Sequence, residues 1–324
     1  MIFQNINLRN IRRLAIEQII ASIATISDYH PNSFKARSNC IIYENVPYSS
    51  NDEANILDIY CPKKQYDLMP IIMYIHGGGF TTCSKHTHRQ IALIYANRGY
   101  LVFNIDYRLS PKYRYPCAFE DVCQAFEWIV QNANQYGGNT NRLVIAGDSA
   151  GANLTLALTL ATCYKSENDF TKRVWNTEIS PKAIKLFCGL YQVTNPMRLK
   201  AELCNNISKI ENMHLDIAKS VSIAYLGSKH FKEFHSDRAF ADPLLILENE
   251  SEPDRPLPAI YAMVGEKDIL LSDTKRLEKN LIKRNTPHEI NYYPNENHIF
   301  HLLFWKDQAR KAWRDGFQFL SKYV

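Results

Sequence analysis

The sequence predicts an α/β fold in which helices flank a mostly parallel central sheet and a helical cap lies over one edge. Short apolar runs alternate with helical patterns from residue 70 onward, which is typical of a parallel sheet covered on both faces. The apolar share of 46% suits a chain with a sizeable core. Residues 194–240 interrupt the alternation without a convincing strand, and this interruption predicts the cap.

Eight segments are predicted to be strands. The first two flank a Ser-Ser-Asn-Asp turn at residues 49–52 and predict a hairpin. The others are short apolar runs separated by helical patterns. The predicted strands are residues 40–48, 55–60, 71–75, 100–105, 143–146, 184–188, 260–264 and 289–293. Because parallel strands bring their carboxyl ends to one edge, we expect functional residues directly after these runs.

Apolar residues at helical spacing mark the segments between the strands. One face is shared by Phe119, Val122, Phe126 and Ile129. Residues 154–162 are apolar nearly all round, as in a buried helix. Within the interrupting stretch the recurring residues are Met213, Ile217, Val221 and Ala224. We expect a single domain over residues 1–324, with a cap formed by about residues 1–40 and about 194–240.

The N-terminal segment places Arg9, Arg12 and Arg13 before an apolar stretch at residues 14–26, which superficially suggests a secretory signal. Polar residues interrupt the stretch, no small-residue cleavage site follows cleanly, and the stretch is too short to span a bilayer. Its apolar residues recur at helical spacing and favour an amphipathic helix: Leu8, Ile11, Ile16, Ile19, Ile23 and Ile26. We therefore expect a cytoplasmic protein without stable membrane insertion, with export as the alternative.

Charge and cysteine usage argue against several classes of function. The net charge of +5, from 38 basic and 33 acidic residues, is mild and forms no block, so nucleic acid is not an expected partner. The eight cysteines form no C-x-x-C pair, so their spacing supports no zinc site, and reduced thiols are favoured over disulfides. We expect a small-molecule substrate, no metal and no cofactor. A homodimer stays open.

The sequence Gly-Asp-Ser-Ala-Gly at residues 147–151 directly follows a predicted strand and precedes a predicted helix. Such a sharp turn would project the Ser149 hydroxyl above the sheet, while Gly147 and Gly151 leave room for strand and helix to approach. The helix N-terminus favours developing negative charge. The alternative is an ordinary glycine turn. The context favours Ser149 as a nucleophile.

A second motif, His-Gly-Gly-Gly-Phe at residues 76–80, also follows a predicted strand. Glycines let backbone N–H groups converge on one oxygen, as an acyl-transfer transition state requires. We assign Gly78 and Gly79, with the amide of Ala150, to this oxyanion hole. A phosphate-binding loop is the competing interpretation, but no G-K-[ST] continuation follows.

The remaining residues of the two motifs are expected to support them. Gly77 is expected to serve the turn, and His76 to brace the loop by hydrogen bonding. Asp148 lies between the first glycine and the serine of the other motif.

The general base is expected near the C-terminus, because folds with this serine turn order their triad as serine, acid, histidine. His298 lies in a polar loop after the last predicted strand. His301 is the rival, at the start of a predicted helical segment, and His288 precedes the strand at its wrong end. We favour His298.

The acid is expected after the predicted strand at residues 260–264. Asp268 lies in that loop, and Glu266 and Asp273 are the alternatives. We interpret Ser272 as a helix N-cap, which would place Asp273 in the first helical turn, where the helix dipole favours an acid. We therefore favour Asp268.

Taken together, the motifs resemble the hormone-sensitive-lipase-like esterases, also called family IV bacterial esterases, of the α/β-hydrolase superfamily. The resemblance covers roughly residues 55–320 and rests on five motifs in order. These are the two glycine motifs, Asp-Tyr-Arg-Leu-Ser-Pro at 106–111 with Phe-Glu-Asp-Val at 119–122, Gly-x-x-Asp at 265–268, and His-x-Phe at 298–300.

The resemblance implies an α/β-hydrolase core with a helical cap that hydrolyses short-to-medium acyl esters without a cofactor. Three positions depart from the family pattern: Ala152 where a glycine is frequent, Ile299 where a glycine is frequent, and Ser110-Pro111-Lys112 in place of Ala-Pro-Glu. These departures affect the substrate pocket more than the triad.

Two alternatives to a carboxylesterase follow from the same residues. An amidase, such as a formamidase or a deacetylase, would use the same triad and acyl-enzyme. A small-molecule receptor would bind without turnover, and its distinguishing feature would be a lost triad residue. All three predicted triad residues are present.

Overall fold

The structure, a computed structural model, describes residues 31–64, 68–201, 209–249 and 251–324, together with residue 22. The amphipathic helix expected between residues 8 and 26 lies, apart from residue 22, outside the described residues. The basic residues Arg9, Arg12 and Arg13 lie outside them as well.

Within these residues, eight strands form one sheet in the order β1-β2-β4-β3-β5-β6-β7-β8. The first two strands form the expected antiparallel hairpin, β2 pairs antiparallel with β4, and all other neighbours are parallel. The strands are β1 (Cys40–Pro47), β2 (Ile56–Pro62), β3 (Met69–Ile75), β4 (Leu101–Ile105), β5 (Gly138–Asp148), β6 (Ala183–Phe187), β7 (Ala259–Gly265) and β8 (His288–Tyr293).

Helices cover both faces of the sheet. Their bounds are α1 (Pro31–Ser38), α2 (Arg89–Ala96), α3 (Cys117–Asn132), α4 (Ala150–Cys163), α5 (Asp169–Asn176), α6 (Arg198–Ala201), α7 (Lys209–Leu226), α8 (Pro243–Glu248), α9 (Leu271–Lys283) and α10 (Asp307–Leu320). Side chains of α3 and α4 belong to the core on one face, and those of α2 and α10 to the core on the other. The sheet is therefore the middle of three layers.

The helix expected over residues 154–162 is confirmed, because every residue of α4 is buried. Strand β5 starts earlier than expected, at Gly138 rather than near residue 143. The added part is polar and extends the pairing with β3 at Met69 and Pro70. An apolar run marks only the covered part of a strand, so the pattern missed this half-exposed beginning.

Helix α7 occupies the stretch where the interruption predicted a helix. Its most buried side chains are not the ones that the spacing selected. Leu215, Ala218 and Tyr225 are buried, whereas Met213 is 41% exposed and Val221 is only partly covered. Val221 borders the glycine loop described below.

Two further observations concern membrane-spanning helices and the cysteine thiols. None of the helices in the described part of the chain is both long and apolar enough to cross a bilayer. The cysteines that the structure describes are free thiols: Cys40, Cys61, Cys83, Cys117, Cys123, Cys163 and Cys188.

A lysine lies inside the core between the sheet and α10. Lys185 on β6 is fully buried, and its Nζ has no hydrogen-bond partner within the described residues. Five aromatic rings surround the amine at 4.7–5.7 Å from their centroids, those of Tyr95, Phe187, Tyr261, Trp313 and Phe317. Burial, and then the charge of Arg98, lower the pKa of the amine well below its usual range.

We expect Lys185→Met to stabilise the protein by about 1–3 kcal/mol at neutral pH, because an unsatisfied polar group leaves the core and a thioether packs well against rings. Between the lowered folded pKa and the ordinary unfolded pKa, the unfolded state binds the additional proton. Wild-type stability therefore rises with pH across this window, and the gain of the variant shrinks as pH increases.

Urea unfolding at several pH values measures this difference. Lys182→Met, an exposed position on the same segment, is the matched control and should change little. A destabilised Lys185→Met at neutral pH would mean instead that the rings hold a net stabilising cation.

Candidate active site

The predicted nucleophile lies where β5 ends and α4 begins. Ser149 has φ 52° and ψ −114°, a conformation that L-residues rarely adopt. Two glycines permit it, because a Cβ on Gly147 would lie 2.5 Å from the Gly151 carbonyl oxygen, and one on Gly151 would lie 2.1 Å from that of Ile75. The close approach of strand and helix explains both glycines of the motif.

The structure brings the three predicted triad side chains together. His298 Nε2 lies 3.0 Å from Ser149 Oγ, and His298 Nδ1 lies 2.8 Å from Asp268 Oδ2. Asp268 Oδ1 accepts the amide N–H of Leu270 at 2.9 Å, which fixes the carboxylate in its loop. With its proton on Nδ1, the imidazole can accept the serine proton at Nε2.

Burial and charge act on this imidazole in opposite directions. Burial alone would lower the pKa of His298, but the carboxylate of Asp268 raises it above 6.5 in the balance. The arrangement therefore favours the imidazolium form and would stabilise His298 if it accepted the serine proton.

The rival bases lie elsewhere. His301 is fully buried and its ring stacks on Phe187 at 4.6 Å, and burial lowers its pKa to about 3. His288 starts β8, and its Nδ1 lies 2.7 Å from the Thr286 carbonyl oxygen, at the far end of that strand. Neither of these histidines is hydrogen-bonded to Ser149.

The rival acids have other surroundings. Glu266 is exposed to solvent. Asp273 is fully buried, and its carboxylate pairs with Arg198 Nη2 at 2.7 Å and accepts the amide N–H of Tyr191 at 3.0 Å. Helix α9 begins at Leu271, so the interpretation of Ser272 as its N-cap is wrong. Asp273 is thus a buried ion-pair partner rather than an acid placed only for the helix dipole.

The glycine loop after β3 presents backbone amides near the serine turn. Gly78 and Gly79 have φ of 99° and 60°, which glycine adopts readily. A Cβ on Gly78 would lie 2.2 Å from the Thr82 carbonyl oxygen. Among the described residues, no acceptor is bonded to the amides of Gly78, Gly79 or Ala150. These amides are therefore available to a ligand oxygen.

Asp148 connects the glycine loop to the serine turn. Its buried carboxylate accepts the Gly77 amide at 3.1 Å and the Tyr74 hydroxyl at 2.7 Å, and His88 Nε2 lies 3.2 Å away. Burial would raise the pKa of Asp148, but His88 and the hydroxyl outweigh it and lower the pKa. Gly77 has no positive φ, and a Cβ there would lie 2.3 Å from Asp148 Oδ2, so this close approach explains the glycine.

His76 braces the loop, as the sequence suggested. Its Nδ1–H donates to the Gly77 carbonyl at 2.8 Å, and its ring stacks on Tyr107 at 4.3 Å. The Tyr107 hydroxyl donates in turn to the His76 carbonyl at 2.8 Å. Burial, and then His88, lower the pKa of His76 to about 3, so the ring is neutral near pH 7 and is a weak proton acceptor.

Helix α7 lies directly on the glycine loop. A Cβ on Gly79 would lie 2.7 Å from Val221 Cγ2. The ring of Phe80 stacks on that of Tyr225 with centroids 3.8 Å apart and planes 4° from parallel. The helix therefore packs against Gly79 and Phe80 of the glycine loop.

Three residues at this site were missed from the sequence. Cys188 follows β6 and is buried near Asp268, Val221 borders the glycine loop, and His88 contacts Asp148. The rule that sites gather at the carboxyl ends of parallel strands could have found Cys188. The contacts of Val221 and His88 join segments far apart in the chain, and no local pattern reports them.

A family model described as alpha/beta hydrolase fold matches residues 72–302. The chain is also similar to several solved structures. Esterase LipW from Mycobacterium marinum has a TM-score of 0.73 and 19% identity over 96% of this chain and 90% of that chain. A hyperthermophilic esterase from the archaeon Pyrobaculum calidifontis has a TM-score of 0.70 and 21% identity over 94% of this chain and 90% of that chain. The thermostable carboxylesterase EstE1 from a metagenomic library has a TM-score of 0.70 and 22% identity over 94% of this chain and 93% of that chain. At these identities the structural likeness shows a shared fold.

Proposed function

The chain belongs to the alpha/beta hydrolase fold family, and from this membership we propose that it is an esterase that hydrolyses short-to-medium acyl carboxylic esters through Ser149, His298 and Asp268. The observation that carries the proposal is the unbroken chain of contacts from the serine oxygen to the buried carboxylate, 3.0 Å and 2.8 Å long. Three solved structures of the same fold are esterases.

The chemistry would proceed in two halves. Ser149 Oγ attacks the acyl carbon while His298 Nε2 takes the hydroxyl proton. The oxyanion of the tetrahedral intermediate accepts hydrogen bonds from the backbone N–H groups of Gly78, Gly79 and Ala150. The imidazolium then protonates the leaving alcohol, which leaves an acyl-enzyme. Water loses a proton to His298, attacks the acyl carbon and releases the acid. Asp268 holds the imidazole in the required tautomer throughout.

We expect kcat/KM to be highest for acyl chains of about two to eight carbons, because α7 closes the space above the glycine loop. In an open groove each added methylene would contribute about 0.8 kcal/mol, so activity would keep rising with chain length. A panel of p-nitrophenyl esters of increasing acyl length measures the profile. A continued rise beyond about twelve carbons would contradict the proposed pocket.

Val221 gives this expectation a residue-level test. Val221→Ala removes two methyl groups from the wall over Gly79, so the optimum should move toward longer chains by about one to two carbons. Ile282→Ala, an apolar truncation at a position that is 62% exposed on α9, is the matched control and should leave the profile unchanged. An unchanged profile in Val221→Ala would remove this residue from the pocket.

Matched ester and amide substrates with the same acyl group separate the proposal from an amidase. An esterase should turn over the ester far faster than the amide, and the opposite ratio would favour the amidase. No turnover of either series by a folded protein would favour a receptor.

A further inference from the structure

A thiol lies beside the acid and base of the site. Cys188 Sγ, a carboxylate oxygen of Asp268 and a ring nitrogen of His298 all lie within 4.8 Å of one another. Cys188 directly follows β6, and its amide donates to the Met263 carbonyl at 2.8 Å, which holds it next to the end of β7. The three side chains come from the ends of three neighbouring strands.

The three donors are those that proteins use to bind zinc. Thiolate sulfur, imidazole nitrogen and carboxylate oxygen bind Zn²⁺ at about 2.0–2.3 Å, which places neighbouring donors about 3–4 Å apart. Shifts on the order of 1 Å would bring this set to that spacing. A spacing rule for cysteines in sequence could not find the set, because it contains one cysteine and joins residues 80 and 110 positions away.

The burial and the charges of these side chains suit a divalent cation, because an unpaired charge would be costly in this position. Cys188 is fully buried and Asp268 is 5% exposed. A thiolate and a carboxylate together neutralise a doubly charged cation, so a bound ion would leave no net charge in this covered position. The His298 side chain is 33% exposed, which leaves an approach from the cleft.

We propose that Cys188, Asp268 and His298 form an inhibitory site for Zn²⁺ and similar thiophilic divalent cations. The ion binds Cys188 Sγ, Asp268 and His298 Nδ1, and water supplies the fourth ligand, as in zinc sites with three protein ligands. The thiol proton leaves to solvent, and the ring proton moves from Nδ1 to Nε2. His298 then donates at Nε2 and cannot take the proton of Ser149.

Binding does not rest on the proposed function, whereas inhibition does, so the two are measured separately. Binding is measured on Ser149→Ala protein, which keeps all three ligands. Cd²⁺ titration should produce an ultraviolet thiolate-to-metal absorption band that saturates at one ion per chain, and calorimetry with Zn²⁺ should give the same stoichiometry. Adding Cys188→Ala should abolish the band and weaken binding by at least about tenfold.

Cys188→Ser keeps the shape of the side chain better than alanine does and should also lose the band, which guards against a folding defect in the alanine variant. Cys163→Ala removes a buried thiol on α4 and should leave the titration unchanged. Absence of the band in Ser149→Ala protein, or a band that survives Cys188→Ser, would overturn the site.

Inhibition is measured on the hydrolysis of a short acyl ester. Zn²⁺ should inhibit the wild-type protein reversibly, and a chelator should restore the rate of hydrolysis. Cys188→Ser should raise the inhibition constant for Zn²⁺ by at least about tenfold. The activity of each protein is expressed relative to its own rate without metal. A protein that binds Cd²⁺ through Cys188 but keeps full activity at saturation would refute the inhibitory role and leave the binding site standing.

Discussion

Replacement of Ser149 by alanine should reduce esterase kcat to near background, a loss on the order of 10⁶. The proposed mechanism has no other nucleophile, and the hydroxyl is the group in contact with His298 Nε2. Alanine keeps the Cβ of serine, so the unusual φ of 52° costs the variant no more than the parent. The variant should therefore fold.

Kinetics on a short acyl ester, with circular dichroism to establish folding, measure this loss. Ser321→Ala, an exposed serine after α10, is the matched control and should keep wild-type activity. A folded Ser149→Ala variant that retains more than about one tenth of wild-type kcat would disprove the assignment of Ser149.

Asp268→Asn should reduce kcat by on the order of 10³ to 10⁴, as the loss of a triad acid does. The structure indicates how. The oxygen at this position must still accept the Leu270 amide, so the new amide NH₂ faces His298 Nδ1 and donates to it. That donation favours the tautomer with its proton on Nε2, which cannot accept from Ser149.

The pH profile gives this prediction a second measurement. Asp268 raises the pKa of His298, and the base works in its neutral form, so wild-type kcat/KM should fall as pH decreases through a value above 6.5. In Asp268→Asn the fall should occur at lower pH. An acid limb that does not move would mean that another group holds the imidazole.

Asp273→Asn provides the contrast between the two neighbouring acids. Its kcat should change by less than about tenfold, because Asp273 does not contact His298. Its stability should fall by about 3 kcal/mol, since the change leaves Arg198, which is 12% exposed, without its ionic partner. This cost exceeds the small dipole effect that the sequence suggested. If Asp273→Asn loses activity and Asp268→Asn does not, the acid is misassigned.

The fold class and the family were predictable because each depends on a local pattern, and the eight strands and the family match confirm them. The two glycine motifs follow their strands directly, so the strand pattern also located Ser149 and the glycine loop. The roles of Ser149, His298 and Asp268 stay predictions until the variants are measured.

What the sequence did not reveal depends on contacts between distant segments. Arg198 lies 75 residues from Asp273, and nothing near Asp273 in the chain indicates the ion pair. Helix α7 was found by its period, but the contact of Val221 with Gly79 was not, because an apolar stripe that borders a loop has the same spacing as one that packs in the core. A single period cannot separate these two cases.

The contacts of Asp148 affect how much conformational entropy the proposed reaction would lose in each turnover. The carboxylate holds the Gly77 amide and, through its neighbour in the chain, the serine turn, so the proposed oxyanion donors would be positioned before substrate arrives. The conformational entropy of ordering the glycine loop is lost once, during folding, and is not lost again with every substrate. Solvent reorganisation around the developing charge is reduced for the same reason. The donor geometry that the proposed transition state requires is thus already present in the resting structure.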